Sequence, residues 1–118
     1  MNVEHVDFIT IATRDAERSR AWYRDTLGLA VDPNNPGELT AGQLTLSFWE
    51  PEKEGIDFQP SIGGLALRVA DVDAAKAELA AQGVDFVGAG DTGVCKMAVC
   101  LDPDRNAVIL HRRYKPYE

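Results

Sequence analysis

Residues 8–29 read FITIATRDAERSRAWYRDTLGL, and this stretch decides the fold. Alternation of β-branched residues predicts a strand over residues 6–11, which includes Phe8. Asp15 suits the N-cap of a following helix, because its carboxylate can accept hydrogen bonds from free backbone N–H groups. Apolar residues then recur at helical spacing until Gly28, a residue typical of a left-handed helix stop. The stretch therefore predicts a strand, a capped helix and a turn.

The same pattern returns at residues 64–84, GLALRVADVDAAKAELAAQGV, where Asp71 is the predicted N-cap and Gly83 the predicted stop. Three further strands are predicted after each helix: residues 29–31, 38–41 and 43–50 in the first copy, and residues 84–87, 94–101 and 107–113 in the second. An internal repeat of this size indicates two similar modules, each with the order βαβββ.

The predicted fold class is α+β, with the whole chain as one domain. Module one covers about residues 1–50, a polar linker about residues 51–61, and module two about residues 62–118. Two βαβββ modules side by side would form one curved mixed sheet. The helices would lie on its convex side, and the concave side would form a cup.

Composition and charge exclude several function classes. The chain has 118 residues, of which 45% are hydrophobic, and a net charge of −7. An acidic protein is not expected to bind nucleic acid or an anionic membrane. No apolar run approaches the roughly 18 residues of a membrane span, and the polar residues after Met1 predict no signal peptide. Cys95 and Cys100 are expected on one strand, too far apart for a disulfide, which favours reduced thiols and a cytoplasmic location.

The polarity of alternate residues predicts which side of each strand faces a helix. The continuous apolar set is expected under the helices: Leu44, Leu46, Phe48, Leu65, Leu67, Val69, Met97, Val99, Leu101, Val108 and Leu110. The mixed set is expected in the cup: Phe8, Thr10, Thr45, Ser47, Trp49, Arg68, Lys96, Ala98, Cys100, Ile109, His111 and Arg113.

Three ordered patterns carry a resemblance to a known family. They are Asp15 followed by Trp22-Tyr23 and by LGL at residues 27–29, the capped helix from Asp71 to Gly83, and DPDRN at residues 102–106. This set resembles the vicinal oxygen chelate superfamily, which includes glyoxalase I, bleomycin-resistance proteins and extradiol dioxygenases. Arg105 stands where the family's DPDGN pattern has Gly. The resemblance implies the paired βαβββ fold and a homodimer.

The resemblance also implies where a metal would bind in the family's enzymes. They hold a divalent ion through four side chains, two from each module. The matching positions here are Phe8, Ser47, Gly64 and Ile109. Three of these have no donor atom in the side chain, and one hydroxyl does not hold a divalent ion. We therefore expect no metal at these positions and no other cofactor.

Three further features of the sequence could have a chemical role. His111 shares a predicted face with Ile109 and would either contact a ligand, transfer a proton or have a structural role. His5 is expected to point away from Phe8, at the surface. Residues 88–93, GAGDTG, match a dinucleotide-binding pattern, but a strand rather than a helix follows, so a loop beside the cup is expected.

The predicted function is metal-independent binding of a small aromatic or amphipathic molecule in the cup, with cationic residues suited to an anion. The candidate ligand-binding residues are Phe8, Thr10, Thr45, Ser47, Trp49, Arg68, Lys96, Ile109 and His111. One alternative is an enzyme of isomerase, lyase or cyclase type that uses His111 or a non-standard metal site. Another is that Phe8 and Ile109 fill the cup, which would leave no room for a ligand.

Overall fold

The computed structural model describes residues 1–116 of the chain. Module one contains β1 (Ile9–Ala12), α1 (Ala16–Asp25), β2 (Ala30–Val31), β3 (Leu39–Ala41) and β4 (Leu44–Trp49), followed by a 3₁₀ helix (Pro51–Glu54). Module two contains β5 (Leu65–Arg68), α2 (Val72–Ala81), β6 (Phe86–Asp91), β7 (Cys95–Leu101) and β8 (Ala107–Arg113). Both modules have the order βαβββ, so the predicted α+β class and the paired modules are confirmed.

The strands form one four-stranded mixed sheet in each module. Module one has the order β1-β4-β3-β2 and module two the order β5-β8-β7-β6. In each sheet the first strand of the module runs parallel to the last, and the other pairs are antiparallel. The chain divides into two compact units, residues 1–59 and the residues from Pro60 onward.

Helix α1 begins where the sequence predicts. The Asp15 carboxylate accepts a hydrogen bond of 3.1 Å from the backbone N–H of Arg18. The helix packs on its own sheet through Tyr23, which is fully buried and whose ring centroid lies 5.6 Å from that of Phe48. This contact confirms that the face of β4 with Phe48 is the one under the helix.

Helix α2 repeats this arrangement in module two. The Asp71 carboxylate accepts from the backbone N–H of Ala74 at 3.0 Å. Val72 and Leu79 are the buried residues of the helix. Gly83 follows its end with a φ of +87°, a conformation that glycine adopts without a steric penalty.

The turn at residues 102–106 is held by the side chain of Asp102. This buried carboxylate accepts hydrogen bonds from the backbone N–H groups of Asp104 and Asn106, at 2.9 and 2.8 Å, and from the Asn106 amide at 2.9 Å. Among the described residues, Arg105 is the only non-glycine residue with a positive φ, and its value is +72°. The turn therefore forms with Arg at the position where the family pattern has Gly.

Two strand predictions are wrong. The first strand begins at Ile9 rather than at residue 6, because its pairing with β4 starts at Ile9 and Leu46. Residues 88–93 are also mostly not a loop. Gly88 and Gly90 belong to β6, where they pair with Val99 and Met97 of β7. Backbone hydrogen bonds to a neighbouring strand need no side chains, so glycines can be held in a strand.

The predicted faces of β7 are reversed. Ala98 pairs with Leu110 and Cys100 with Val108, and directly paired residues project to the same face of an antiparallel sheet. All four are buried, so Ala98 and Cys100 lie in the core with α2. The sequence prediction assigned the larger Met97, Val99 and Leu101 to that face. Small residues leave room for a helix to approach the strand.

The segment predicted as a linker packs against module one over part of its length. Trp49 donates a hydrogen bond of 2.7 Å from its indole Nε1 to the Glu54 carboxylate, within the 3₁₀ segment. The Arg14 guanidinium lies 5.0 Å from the centre of the Phe58 ring. The residues up to 59 therefore belong to the first compact unit.

Candidate functional site

The sheet face of module one opposite α1, which we call far face one, presents hydroxyls and an indole. Thr10 Oγ1 and Ser47 Oγ share a hydrogen bond of 3.1 Å, which is possible because Thr10 and Ser47 are paired across β1 and β4. Thr45 and Trp49 lie on the same face of β4 by alternation, and Trp49 is 36% exposed. Far face one thus brings together four of the five residues predicted for it.

Phe8 precedes β1 and is 54% exposed. It is not held by the β1–β4 ladder, because that ladder starts at Ile9. Its exposure does not match the alternative in which Phe8 is a packed core residue.

The sheet face of module two opposite α2, far face two, carries three of the predicted site residues. Arg68 of β5 is paired with His111 of β8, and Ala66 is paired with Ile109. Arg113 follows His111 by two residues and shares its face. A depression of about 420 Å³, the basic depression, opens here; it is lined by Arg68, His111, Arg113, Tyr114, Lys115 and Pro116.

Lys96, another predicted site residue, does not lie on far face two. It is paired with Arg112 and so lies on the same face as Ala98 and Cys100, towards α2. Its ammonium forms an ion pair of 2.8 Å with Asp73 of α2, and the hydrogen bond to Asp73 raises the pKa of Lys96. The prediction that Lys96 shares a face with Ile109 and His111 is therefore wrong.

Lys96 instead lines a second depression of about 450 Å³. This mixed depression is lined by Ala70, Asp71, Val72, Asp91, Lys96, Arg112 and Tyr114. The negative charges of Asp71 and Asp91 balance the positive charges of Lys96 and Arg112 in this lining. The Tyr114 hydroxyl donates to Asp91 at 2.7 Å, and this bond lowers the pKa of the Asp91 carboxyl.

The residues at the family's metal positions do not fit a divalent ion. In module one they are Phe8, which has no donor atom, and Ser47, whose hydroxyl is hydrogen-bonded to Thr10. In module two they are Gly64 and Ile109, neither of which has a donor atom in its side chain. Within residues 1–116, no three His, Cys, Asp or Glu side chains are grouped so that they could hold a metal.

Cys100 lies in the core rather than on a far face. It is fully buried, and burial raises the pKa of its thiol to about 11. Its thiol is therefore protonated at neutral pH and a poor nucleophile. Both Cys95 and Cys100 are free thiols. His5 forms a contact of 2.9 Å with Asp7 at the exposed N-terminal end.

Reasoning from the sequence missed two residues, one that supports the start of α1 and one that lines the basic depression. Glu50 was not singled out in the sequence, but its carboxylate accepts from the backbone N–H of Ala16 at the start of α1 and from Lys53. No local signal shows this, because Ala16 lies far away in sequence. Lys115 was also not singled out, although it lines the basic depression. The basic run at residues 111–115 was the available signal that it lines a depression.

Comparison with solved structures finds relatives over nearly the whole chain. An antibiotic-binding protein, TnmS3 from Streptomyces sp. CB03234, has 26% identity and a TM-score of 0.77, covering 96% of this chain and 98% of that one. A glyoxalase/bleomycin resistance protein from the same organism has 27% identity and a TM-score of 0.70, covering 89% and 97%. A lactoylglutathione lyase from Agrobacterium tumefaciens has 17% identity and a TM-score of 0.69, covering 94% and 95%, and shows the fold alone.

No match was found among curated protein sequences. Within the described part of the chain, no helix has the length and apolar character to cross a membrane. A family model described as Glyoxalase/Bleomycin resistance protein/Dioxygenase superfamily matches residues 5–110. With the paired βαβββ modules and the structural relatives, this match shows that the chain belongs to the glyoxalase/bleomycin resistance protein/dioxygenase superfamily.

Proposed function

We propose that this protein binds a small aromatic or amphipathic organic molecule through the far faces of its sheets. The observation that carries the proposal is the likeness, over nearly the full length of both chains, to a protein described as antibiotic-binding. The chemistry of the faces supports it. Far face one offers Thr10, Ser47 and the indole of Trp49, and aromatic surfaces with a few polar groups are typical of small-molecule sites.

Binding without a metal is part of the proposal. Phe8, Gly64 and Ile109 lack donor atoms, and the Ser47 hydroxyl is already paired with Thr10. A ligand would therefore be held by stacking, hydrogen bonds and charge. Elemental analysis of protein purified without chelators tests this point, and a stoichiometric transition metal would contradict it.

Tryptophan fluorescence tests ligand binding directly. Trp49 lies on far face one, whereas Trp22 of α1 packs against Tyr23 with ring centroids 5.0 Å apart. A Trp22→Phe variant leaves Trp49 as the single reporter. We expect saturable quenching or a spectral shift with members of a panel of aromatic natural products and drugs. The Trp49→Phe variant, which keeps Trp22, is the matched control and should lose most of the signal.

Absence of any saturable change across the panel in the Trp22→Phe variant would count against the proposal. Equal changes in both variants would also contradict it, because the ligand would then not contact far face one.

A second candidate is an enzyme of isomerase, lyase or cyclase type. The observation that favours it is His111, which lines the basic depression beside Arg68. An imidazole can transfer a proton near neutral pH. If the chain catalyses such a reaction through this residue, His111→Ala removes turnover and leaves ligand binding. Turnover that survives in His111→Ala would exclude the role.

We also propose a cytoplasmic location. Cys95 and Cys100 are free, which suits a reducing compartment. Fractionation of the producing cells tests the location, and recovery of the protein outside the cytoplasm would contradict it.

A further inference from the structure

The basic depression on far face two differs in charge from its neighbour. Its described lining includes three Lys or Arg side chains and His111 but no Asp or Glu: Arg68, His111, Arg113, Tyr114, Lys115 and Pro116. The mixed depression contains two carboxylates beside its two cations, and one of the cations, Lys96, is paired with Asp73. This concentration of positive charge occurs in a chain whose net charge is −7.

Arg68 is a cation of the basic depression whose charge no described residue pairs. Among the described residues, no ion pair or hydrogen bond engages its guanidinium, although Lys53, Lys96 and Arg105 each pair with a carboxylate at 2.8–3.0 Å. Lys115 likewise forms no ion pair with any described carboxylate. The pKa of the Asp91 carboxyl is lowered mainly by the hydrogen bond from Tyr114 and, to a smaller extent, by the charge of Lys115. This carboxylate lines the mixed depression rather than the basic one.

The backbone places these groups on one side of the sheet. The parallel register of β5 and β8 pairs Arg68 with His111, and Arg113 follows two residues later on the same face. The Arg113 Nη2 donates to the carbonyl of Pro116 at 3.3 Å, so the guanidinium lies next to another residue that lines the depression. The volume of about 420 Å³ lies within the range of small-molecule sites.

We infer that the basic depression binds an oxyanion, the carboxylate or phosphate group of a small organic molecule, with Arg68 as the main contact. A guanidinium presents paired N–H donors that match two oxygens of either group. This inference deepens the proposed function and rests on it for the organic part of the ligand. Of the cationic residues that the sequence had suggested, it keeps Arg68, His111 and Arg113, removes Lys96 and adds Lys115.

The test uses inorganic phosphate and acetate alone, so that it does not depend on an aromatic ligand. Each is titrated into the ¹⁵N-labelled protein against sodium chloride at matched ionic strength. We expect saturable amide shifts that are largest at Arg68, His111 and Arg113. Whichever of the two anions binds more tightly identifies the group that the ligand carries.

Arg68→Gln should weaken this binding about tenfold, the order expected for loss of a charge-assisted contact. Arg112→Gln is the matched control. It removes the same charge one residue from Arg113, on the opposite face of β8. Arg112 lines the mixed depression and is not among the residues that line the basic one. The affinity of this variant for both anions should stay within about twofold of the parent protein, since long-range charge effects are screened by salt.

Shifts spread over Lys96 and Arg112, equal weakening in the two variants, or no saturable shift would overturn the inference. These outcomes are separable from failure of the proposed function. Quenching of Trp49 by a neutral aromatic compound without anion binding would leave the proposed function standing and remove the oxyanion site. Saturable anion binding together with no response to any aromatic compound would leave the oxyanion site standing and remove the proposed function.

Discussion

Ser19 of α1 is buried, and its hydroxyl has no hydrogen-bond partner among the described residues. A buried polar group without a partner costs free energy on folding. Ser19→Ala should therefore raise the free energy of unfolding by about 1 kcal/mol, as measured by urea denaturation. Ser47→Ala is the comparison, because that hydroxyl is bonded to Thr10 and should give no gain. Loss of stability in Ser19→Ala would show that its hydroxyl is bonded in solution.

Cys100 should be inert while the protein is folded. In a Cys95→Ala variant, a thiol reagent at pH 8 should label Cys100 only after denaturant is added. The pKa of Cys100 is raised to about 11 from 9.0, so the protonated thiol is favoured by folding. The contribution of Cys100 to the free energy of unfolding is therefore fully present below pH 9.0 and is lost as the pH rises towards about 11. Rapid labelling of the native Cys95→Ala protein would contradict burial.

At the scale of elements, α1 begins at two carboxylates rather than one. Asp15 is the local N-cap, and Glu50 reaches the N–H of Ala16 from the end of β4. Negative charge at a helix N-terminus is favourable because of the helix dipole. The end of β4 and the start of α1 are therefore tied by a charged hydrogen bond.

Glu50→Gln should remove a pH-dependent part of the stability. Two hydrogen bonds lower the pKa of Glu50. The one from Lys53 has the larger effect, and the one from the backbone N–H of Ala16 comes second. The stabilisation is therefore present above the pKa of the unfolded state and is lost as the pH falls through the lower folded value. The parent should be more stable than Glu50→Gln at pH 7, and the difference should disappear in acid. Glu52→Gln, at an exposed neighbour, is the control; an equal loss there would contradict the role.

The turn between β7 and β8 depends on Asp102. Its buried carboxylate accepts three hydrogen bonds, two of them from backbone N–H groups. Asp102→Ala leaves these donors without an acceptor and should cost about 3 kcal/mol of unfolding free energy. Asp32→Ala, which removes one exposed contact to Asn34, should cost about 0.5 kcal/mol. Comparable losses in thermal or urea denaturation would contradict the buried network.

At the scale of the whole molecule, we propose that two copies of the chain associate. The resemblance found in the sequence implies a homodimer, and several apolar side chains are exposed in the single chain, among them Val6, Phe8, Val31, Ile62 and Val87. Sedimentation equilibrium should give a mass twice the 12.9 kDa of one chain at micromolar concentration. A mass of one chain over the whole concentration range would contradict the proposal.

The two modules could be predicted because their signals are local. Asp15 and Asp71 cap helices a few residues away, and Gly28 and Gly83 follow the ends of those helices with positive φ. Such interactions depend on residues within one turn and therefore appear directly in the sequence. The strand β8 was also predicted with its observed bounds, Ala107–Arg113.

Part of the candidate site could be predicted by alternation alone. Thr10 with Ser47, and Arg68 with His111, share faces as predicted. The strand β4 alternates between apolar and polar residues, whereas residues 107–110 of β8 are all apolar and its polar residues begin at His111. Lys96 was misplaced because β7 is apolar on both faces. Only its pairing with β8 decides which of those faces meets α2.

The sequence by itself determined the repeated strand, cap and helix, the α+β class, and the missing donors at the family's metal positions. The tertiary structure alone decided which face of β7 is buried, that β6 contains Gly88 and Gly90, and that Glu50 caps α1. It also added Lys115 to Arg68 and His111 in a depression without carboxylates among its described residues. The physical reason is range: caps and alternation act over a few residues, whereas strand register joins residues that are distant in the chain.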